Sequence, residues 1–306
     1  VLFRSATTDM FMVTVPQNIQ HFYKIKADYL GPCIRLRRAV DNDIQDFDFV
    51  GFQMYARLDT AAIKTWAKGG LIYIVKYYDQ SGNGYDWVPV KSIDGGEVTT
   101  PDYTDADQAR LIFDEVTDEP VVYWNNSRYD AISPMDGKTG FTVMMAMKAK
   151  TTNPSRVADW ELTDANNFMS TGGAKIEGEA TLNSYNVVVD QLNVYTMRYR
   201  ANTVNGLQLY KNGTLTAQQN TVTTDLSFQH RQVANLGYFK FDDAYKLDVG
   251  TETKGWIVWG DDITNDEIAA FQARFVTEFA GLGEEVEDVG NEVLNSISIS
   301  KVYEDR

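Results

Sequence analysis

Tyr77-Tyr78-Asp79-Gln80-Ser81-Gly82-Asn83-Gly84-Tyr85-Asp86-Trp87 is the stretch on which the fold reading turns. It follows a strand-like run, Leu71-Ile72-Tyr73-Ile74-Val75-Lys76. Within a few residues the chain then offers Asp, Gln, Ser, Asn, two glycines and flanking rings. Two readings stand side by side. The polar groups and rings suit a surface that grips hydroxyl-rich ligands, with Asp79, Gln80, Asn83, Tyr85 and Trp87 as candidate binding residues. The same residues suit a self-bonded turn, in which Asp79 and Ser81 cap their own backbone and Gly82 and Gly84 supply positive φ.

Downstream of this stretch, short β-type runs alternate with turn residues. The runs fall at 71–78, 108–115, 120–125, 141–150, 156–163, 175–182, 185–200, 205–211, 214–219, 232–240 and 245–260. Phe141-Thr142-Val143-Met144-Met145-Ala146-Met147 is apolar on both faces, as a central strand would be. Val187-Val188-Val189 reads the same way. Leu207-Gln208-Leu209-Tyr210-Lys211-Asn212-Gly213-Thr214-Leu215 predicts a hairpin about an Asn-Gly turn. Many strands with little helix predict an all-β two-sheet sandwich.

Upstream, Ile19, Phe22, Tyr23, Ile25 and Tyr29-Leu30 fall at spacings that predict a helix ending at Gly31-Pro32. A second helix is predicted over Thr60–Ala67, capped by Asp59 or Thr60 and stopped by Gly69-Gly70. Near the other end, Thr264-Asn265-Asp266-Glu267 has capping-box spacing. Ile268, Phe271, Phe275 and Phe279 then line one helix face, which ends at Gly281 or Gly283.

The expected organisation is an N-terminal extension (1–16), a helix-and-loop segment packed on the sandwich (17–69), a jelly-roll domain (70–282) and an acidic linker and tail (283–306). Val1-Leu2-Phe3-Arg4-Ser5 matches the translation of a common sequencing-adapter end, so the N-terminus is expected to be incomplete. No signal peptide is visible in Val1–Val15.

Composition removes several function classes. The chain has 306 residues and a net charge of −15, which argues against a nucleic-acid surface and against docking on anionic lipid. The run Arg35-Leu36-Arg37-Arg38 is expected to form salt bridges with Asp41 or Asp46. No apolar run approaches the ~20 residues of a membrane span. One cysteine, Cys33, allows neither an intrachain disulfide nor a cysteine-based zinc site. With only His21 and His230, a histidine-rich metal site is excluded, and both read as surface or hydrogen-bonded histidines.

Several short motifs, in order, carry a family likeness: Gly31-Pro32-Cys33-Ile34-Arg35-Leu36-Arg37-Arg38, Asp41-Asn42, Asp46, Phe49-Val50, Leu58-Asp59-Thr60-Ala61-Ala62 and Tyr78-Asp79-Gln80-Ser81-Gly82-Asn83-Gly84. Together they resemble the N-terminal part of the arabinofuranosidase B catalytic domain and its relatives in phage and environmental bacteria. The likeness covers roughly residues 22–87. Phe141–Lys150, Leu207–Leu215 and Gly255–Phe279 look more loosely like the second half of a laminin-G-like or concanavalin-like domain. The resemblance implies a concanavalin A-like jelly roll, to which the spacings above add an N-terminal helical segment and one C-terminal helix. It also implies a virion or extracellular location. The family's characterised enzymes carry a vicinal disulfide at the sugar site, which one cysteine cannot supply, and their catalytic acids have no counterpart placeable by motif.

The function expected from these readings is a non-catalytic carbohydrate-binding or structural adhesion module. Its partners would be a glycan or cell-surface polysaccharide and other virion proteins, with no nucleic acid and no membrane insertion. Two alternatives stay open: a glycoside hydrolase of arabinofuranosidase type, and a purely architectural virion protein. A hydrolase needs two carboxyl groups about 5–9 Å apart, and Asp79, Asp86, Asp159, Glu161 and Asp164 lie near aromatics and turns. Trp87 and Tyr85, Trp124-Asn125-Asn126 and Trp160 are candidate stacking platforms. No cofactor is expected beyond a calcium ion, for which Asp41, Asp43 and Asp46, with Asn42 and Asp48, or Asp261, Asp262 and Asp266, offer oxygen ligands.

Overall fold

The computed structural model describes residues 16–51, 56–89, 108–125, 127, 129–132, 139–151, 156–159, 168–170, 174–175, 181–182, 187–222, 233–236, 249–260 and 263–275. In chain order these form β1 (Asn18–His21), β2 (Ile34–Arg38), β3 (Ile44–Phe47), β4 (Phe49–Val50), β5 (Arg57–Leu58) and helix α1 (Thr60–Ala67). Next come β6 (Ile72–Tyr77), β7 (Val88–Pro89), β8 (Arg110–Phe113), β9 (Pro120–Tyr123), β10 (Tyr129–Ile132) and β11 (Gly140–Lys148). Then follow β12 (Arg156–Asp159), β13 (Phe168–Ser170), β14 (Ala174–Lys175), β15 (Thr181–Leu182) and β16 (Leu192–Arg200). The last elements are β17 (Thr203–Lys211), β18 (Thr214–Val222), β19 (Val233–Leu236), β20 (Glu252–Gly260) and helix α2 (Asn265–Arg274).

The strands make an all-β sandwich. One sheet has eleven strands, ten in the order β18-β17-β16-β11-β20-β9-β8-β6-β2-β3, with β1 pairing to β20 off that path. A second has seven, in the order β15-β14-β13-β12-β19-β10-β7, and β4 and β5 pair as a separate two-stranded sheet. Every pairing is antiparallel, β11 with β16 and β20 among them. β11 is buried through Met147, which explains its lack of polar alternation. The β17–β18 hairpin turns at Asn212 and Gly213, with φ of 49° and 79°, the conformation an Asn-Gly hairpin turn requires.

Two apolar layers flank the large sheet. On its inner face Ile34, Leu36, Ile74, Leu111, Val122, Met145, Trp256 and Val258 pack with Tyr129 of the smaller sheet. On its outer face Ile19, Met144, Ala146, Val194, Ile257 and Trp259 pack under Ile268, Phe271 and Phe275. Helix α2 begins as its sequence predicts. Thr264 Oγ1 accepts from Glu267 N at 3.2 Å, and the Glu267 carboxylate accepts from Thr264 N at 2.8 Å. Phe279 and the predicted helix end lie outside the described residues.

The sequence reading needs correction at two places. The helix predicted from Ile19 is not formed; Asn18–His21 is a strand in register with Gly255–Val258. The three-residue spacing of Ile19, Phe22 and Ile25 arises from a strand followed by an irregular stretch, not from a helix face. The second predicted helix, Thr60–Ala67, is present, with Asp59 as its N-cap. The run Val187-Val188-Val189 is a loop with Val188 and Val189 exposed. Three β-branched residues in a row gave it a strand signature that no strand among the described residues satisfies.

Candidate ligand-binding site

The quoted motif begins at the end of β6 and returns to pair Trp87 with Tyr77. Its inner half is spent on the protein itself. Asp79 is buried, and its carboxylate accepts from Ile19 N at 2.9 Å, Ser81 N at 2.9 Å, Ser81 Oγ at 2.6 Å and Tyr85 N at 3.1 Å. Gln80 is also buried. Its Oε1 accepts from Ile25 N at 2.9 Å, while its Nε2 donates to the carbonyls of His21 and Tyr23. Gly82 and Gly84 sit at φ of 85° and 79°, values that carry strain for any residue with a Cβ.

Trp87 is 1% exposed; its Nε1 donates to Gln20 Oε1 at 2.7 Å and its ring meets Trp256 edge-on at 6.0 Å. Trp124 is buried as well, donating to Thr253 Oγ1. Trp87, Trp124 and Trp256, with Tyr77, Tyr129 and Gln20, line a cavity of about 20 Å³. That space admits one water molecule and is far below the roughly 300 Å³ at which small-molecule pockets begin.

The motif's outer half is different. Asn83 is exposed, and Tyr78, Tyr85 and Asp86 are half-buried. This half is pinned from beneath through the Tyr85 carbonyl and the side chains of Asp86 and Asn83. The Tyr85 carbonyl accepts from Asn18 Nδ2 and Gln20 Nε2, Asp86 Oδ1 accepts from Asp79 N, and Asn83 Nδ2 donates to the Gln17 carbonyl. Beside this rim the register sets Asp46 of β3, Arg35 of β2 and Lys76 of β6 in a lateral row. Arg35 Nε and Nη2 donate to Asp46 at 2.8 and 2.7 Å, and Lys76 reaches Asp86 at 2.6 Å. The Tyr78 ring lies under Lys76, whose Nζ is 4.8 Å from its centroid, and Tyr78 Oη donates to Asp46 at 2.8 Å. Arg35's hydrogen bonds, then Tyr78's, lower the Asp46 pKa; burial, then Asp46, raises that of Tyr78.

The candidate calcium ligands are engaged by arginines. Asp41 and Asp43 bind Arg38 at 2.7 and 3.3 Å, which holds Asp41 down to about 2, and Asp46 binds Arg35. Among the described residues no cluster of three metal-ligating side chains occurs. Asp266 stands in the first turn of α2, where acids complement the helix dipole. Asn126, Trp160, Glu161, Asp164, His230, Asp261 and Asp262 lie outside the described residues, as does the side chain of Asp159.

His21 is fully buried against Gly255. Its Nδ1 accepts from Tyr23 N at 3.0 Å, and burial, then the nearby Lys254 charge, lowers its pKa to about 3. It is a neutral structural histidine at ordinary pH. Sequence reasoning also missed a second row on the outer face, in which register aligns Arg37, Tyr73, Arg110, Tyr123, Glu252 and Lys148 across six strands. The only sequence signal was a long polar or phenolic residue beside apolar ones, as at Tyr73, Arg110, Tyr123 and Lys148. Alignment of those residues is a property of register.

No family model matches the chain, and no curated protein matches it. Solved structures do share its fold. An arabinofuranosidase complexed with arabinofuranosyl-α-1,2-xylobiose superposes with a TM-score of 0.64 at 12% identity, over 86% of this chain and 62% of that one. A mutant GH54 α-L-arabinofuranosidase soaked with 4-nitrophenyl α-L-arabinofuranoside gives 0.60 at 12% identity, over 86% and 62%. A GH54 α-L-arabinofuranosidase soaked with a cyclic sulfate inhibitor gives 0.56 at 11% identity, over 86% and 63%. The chain thus spans under two thirds of the length of these structures, and the likeness is one of fold: an all-β sandwich of the kind found in these glycoside hydrolases.

Proposed function

We propose that this protein is a carbohydrate-binding module whose ligand rests on the outer rim of the Tyr78–Asp86 turn. One observation carries the reading: a turn locked from beneath by Asp79 and Gln80 holds two half-buried tyrosines, Tyr78 and Tyr85, beside exposed Asn83 and the Asp46–Arg35 and Lys76–Asp86 pairs. Rings stack on the apolar faces of sugars, and fixed amide and carboxylate groups select hydroxyls. Pre-fixing the rim lowers the ordering cost of binding. The likeness of fold to structures named for arabinofuranosyl ligands supports the choice of a saccharide. Its placement on a virion or extracellular surface, with other virion proteins as neighbours, rests on the phage and environmental relatives that the sequence motifs resemble.

The test is a glycan array probed with the intact protein. Binding to a defined saccharide class supports the module, and a silent array overturns it in favour of a purely architectural protein. A second reading, a hydrolase of arabinose-containing polysaccharide, has the arabinofuranosidase fold behind it. Release of 4-nitrophenol from 4-nitrophenyl α-L-arabinofuranoside would establish it, and no release above the uncatalysed rate would remove it.

A further inference from the structure

Arg110 stands apart from the other arginines of the first half of the described chain. Arg35, Arg38 and Arg57 each hold a carboxylate, and Arg37 holds the side-chain oxygens of Gln108 and Asn42. Arg110 makes no side-chain hydrogen bond or ion pair with any described residue, and its Nε is buried without an acceptor. A guanidinium normally meets an oxyanion in a paired, two-bond geometry. Leaving a buried donor unmade costs free energy.

The side chain is nevertheless held in place. Its Cζ lies 4.3 Å from the Tyr123 ring centroid, and its partner in register on the opposite strand is Tyr73, itself covered by Arg37 at 4.8 Å. A second buried donor without an acceptor is nearby: Gln108, bound to Arg37 through its oxygen, has an unpartnered Nε2. Both deficits are of an acceptor. The chain carries a net charge of −15, yet among the described residues no carboxylate pairs with Arg110; Glu252, one strand beyond Tyr123 in the row, pairs with Lys148. The local geometry thus favours one discrete anionic group over a polyelectrolyte, whose phosphates the overall charge repels.

We propose that Arg110 is the recognition residue for a carboxylate or sulfate oxyanion, carried by an acidic saccharide whose ring lies along Tyr123. The oxyanion supplies the acceptors that Arg110 lacks, and Tyr73 and Tyr123 fix the guanidinium plane. Choosing a saccharide as the carrier rests on the carbohydrate-binding reading above; the oxyanion site itself does not.

Isothermal titration of the intact protein with a uronic-acid disaccharide, its methyl ester and inorganic sulfate tests this. The acid should bind at least tenfold more tightly than the ester. Arg110→Gln should abolish that preference, and Arg110→Lys should restore part of it, with unfolding temperatures unchanged. Binding of sulfate alone, lost in Arg110→Gln, would support the oxyanion site and make the free ion its source. Equal affinity for acid and ester, or an acid preference that survives in Arg110→Gln, would overturn the proposal, as would no binding of either acid or sulfate. A neutral glycan that still binds Arg110→Gln as tightly as the unmodified protein leaves the Tyr78 rim standing, so the two readings can fail separately.

Discussion

The Asp79 carboxylate accepts the backbone N–H of Ile19, sixty residues earlier in the chain, at 2.9 Å. That one bond joins the turn after β6 to the strand that pairs with β20. With three further donors on the same carboxylate, it makes the turn a clamp on the N-terminal strand. Replacing Asp79 with Ala leaves those buried N–H groups without an acceptor. The expected loss is roughly 3 kcal/mol or more, measured by urea unfolding. The Ile19 amide should also lose hydrogen-exchange protection before the rest of the sheet does.

Gly255 faces His21 so closely that an added Cβ would sit 2.1 Å from the imidazole Cδ2. The ring is fully buried and cannot swing into solvent. Gly255→Ala should cost about 1–3 kcal/mol by overpacking, read as a lower denaturation midpoint.

His21 also sets a pH dependence. Its folded pKa of about 3 lies below the ordinary value of 6.5, so between these values the unfolded chain binds a proton that the native state excludes. Its contribution to stability is therefore complete above about pH 6.5 and is lost as pH falls towards 3. The slope approaches about 1.4 kcal/mol per pH unit. His21→Gln should flatten the stability profile between pH 4 and 6 (about 1.4 kcal/mol per unit less steep). A slope left unchanged by His21→Gln would show that His21 is accessible to protons in the fold.

At the N-terminus of α2, Thr264 and Glu267 satisfy each other's backbone donors. Thr264→Ala should cost about 1 kcal/mol, with the loss seen in thermal unfolding. Because Ile268, Phe271 and Phe275 are buried against the outer face of the sheet, fraying at this end weakens that layer as well.

What could be read from the sequence was what local chemistry decides. The Asn212-Gly213 hairpin, the Thr264–Glu267 cap, helix Thr60–Ala67 and the doubly apolar strand Phe141–Met147 follow from residue type and spacing, and all four are present. What resisted reading was decided across the chain. Asn18–His21 is a strand because β20 lies beside it and Tyr85 anchors Asn18 and Gln20, neither of which is a neighbour in sequence. The motif residues pointed both to a self-bonded turn and to a ligand surface, and the structure divides them. Asp79 and Gln80 bond inward, Trp87 joins the core, and Asn83 and Tyr85 remain at the surface. The Arg37–Tyr73–Arg110–Tyr123 row depends on the register of four strands, to which composition is blind. A glycine inside a strand, as at Gly255, does signal a close approach, but its partner His21 is fixed only by the fold.

The most direct test of the division between clamp and rim is the affinity of the folded Tyr78→Ala protein for the saccharide that the unmodified protein binds, measured by titration calorimetry. The Tyr78 side chain is half-buried, donates one hydrogen bond to Asp46 and lies under Lys76 and Arg35, so the variant should lose about 1–2 kcal/mol and stay folded. The account predicts at least a tenfold loss of affinity. Undiminished affinity in Tyr78→Ala combined with Tyr85→Ala would contradict it.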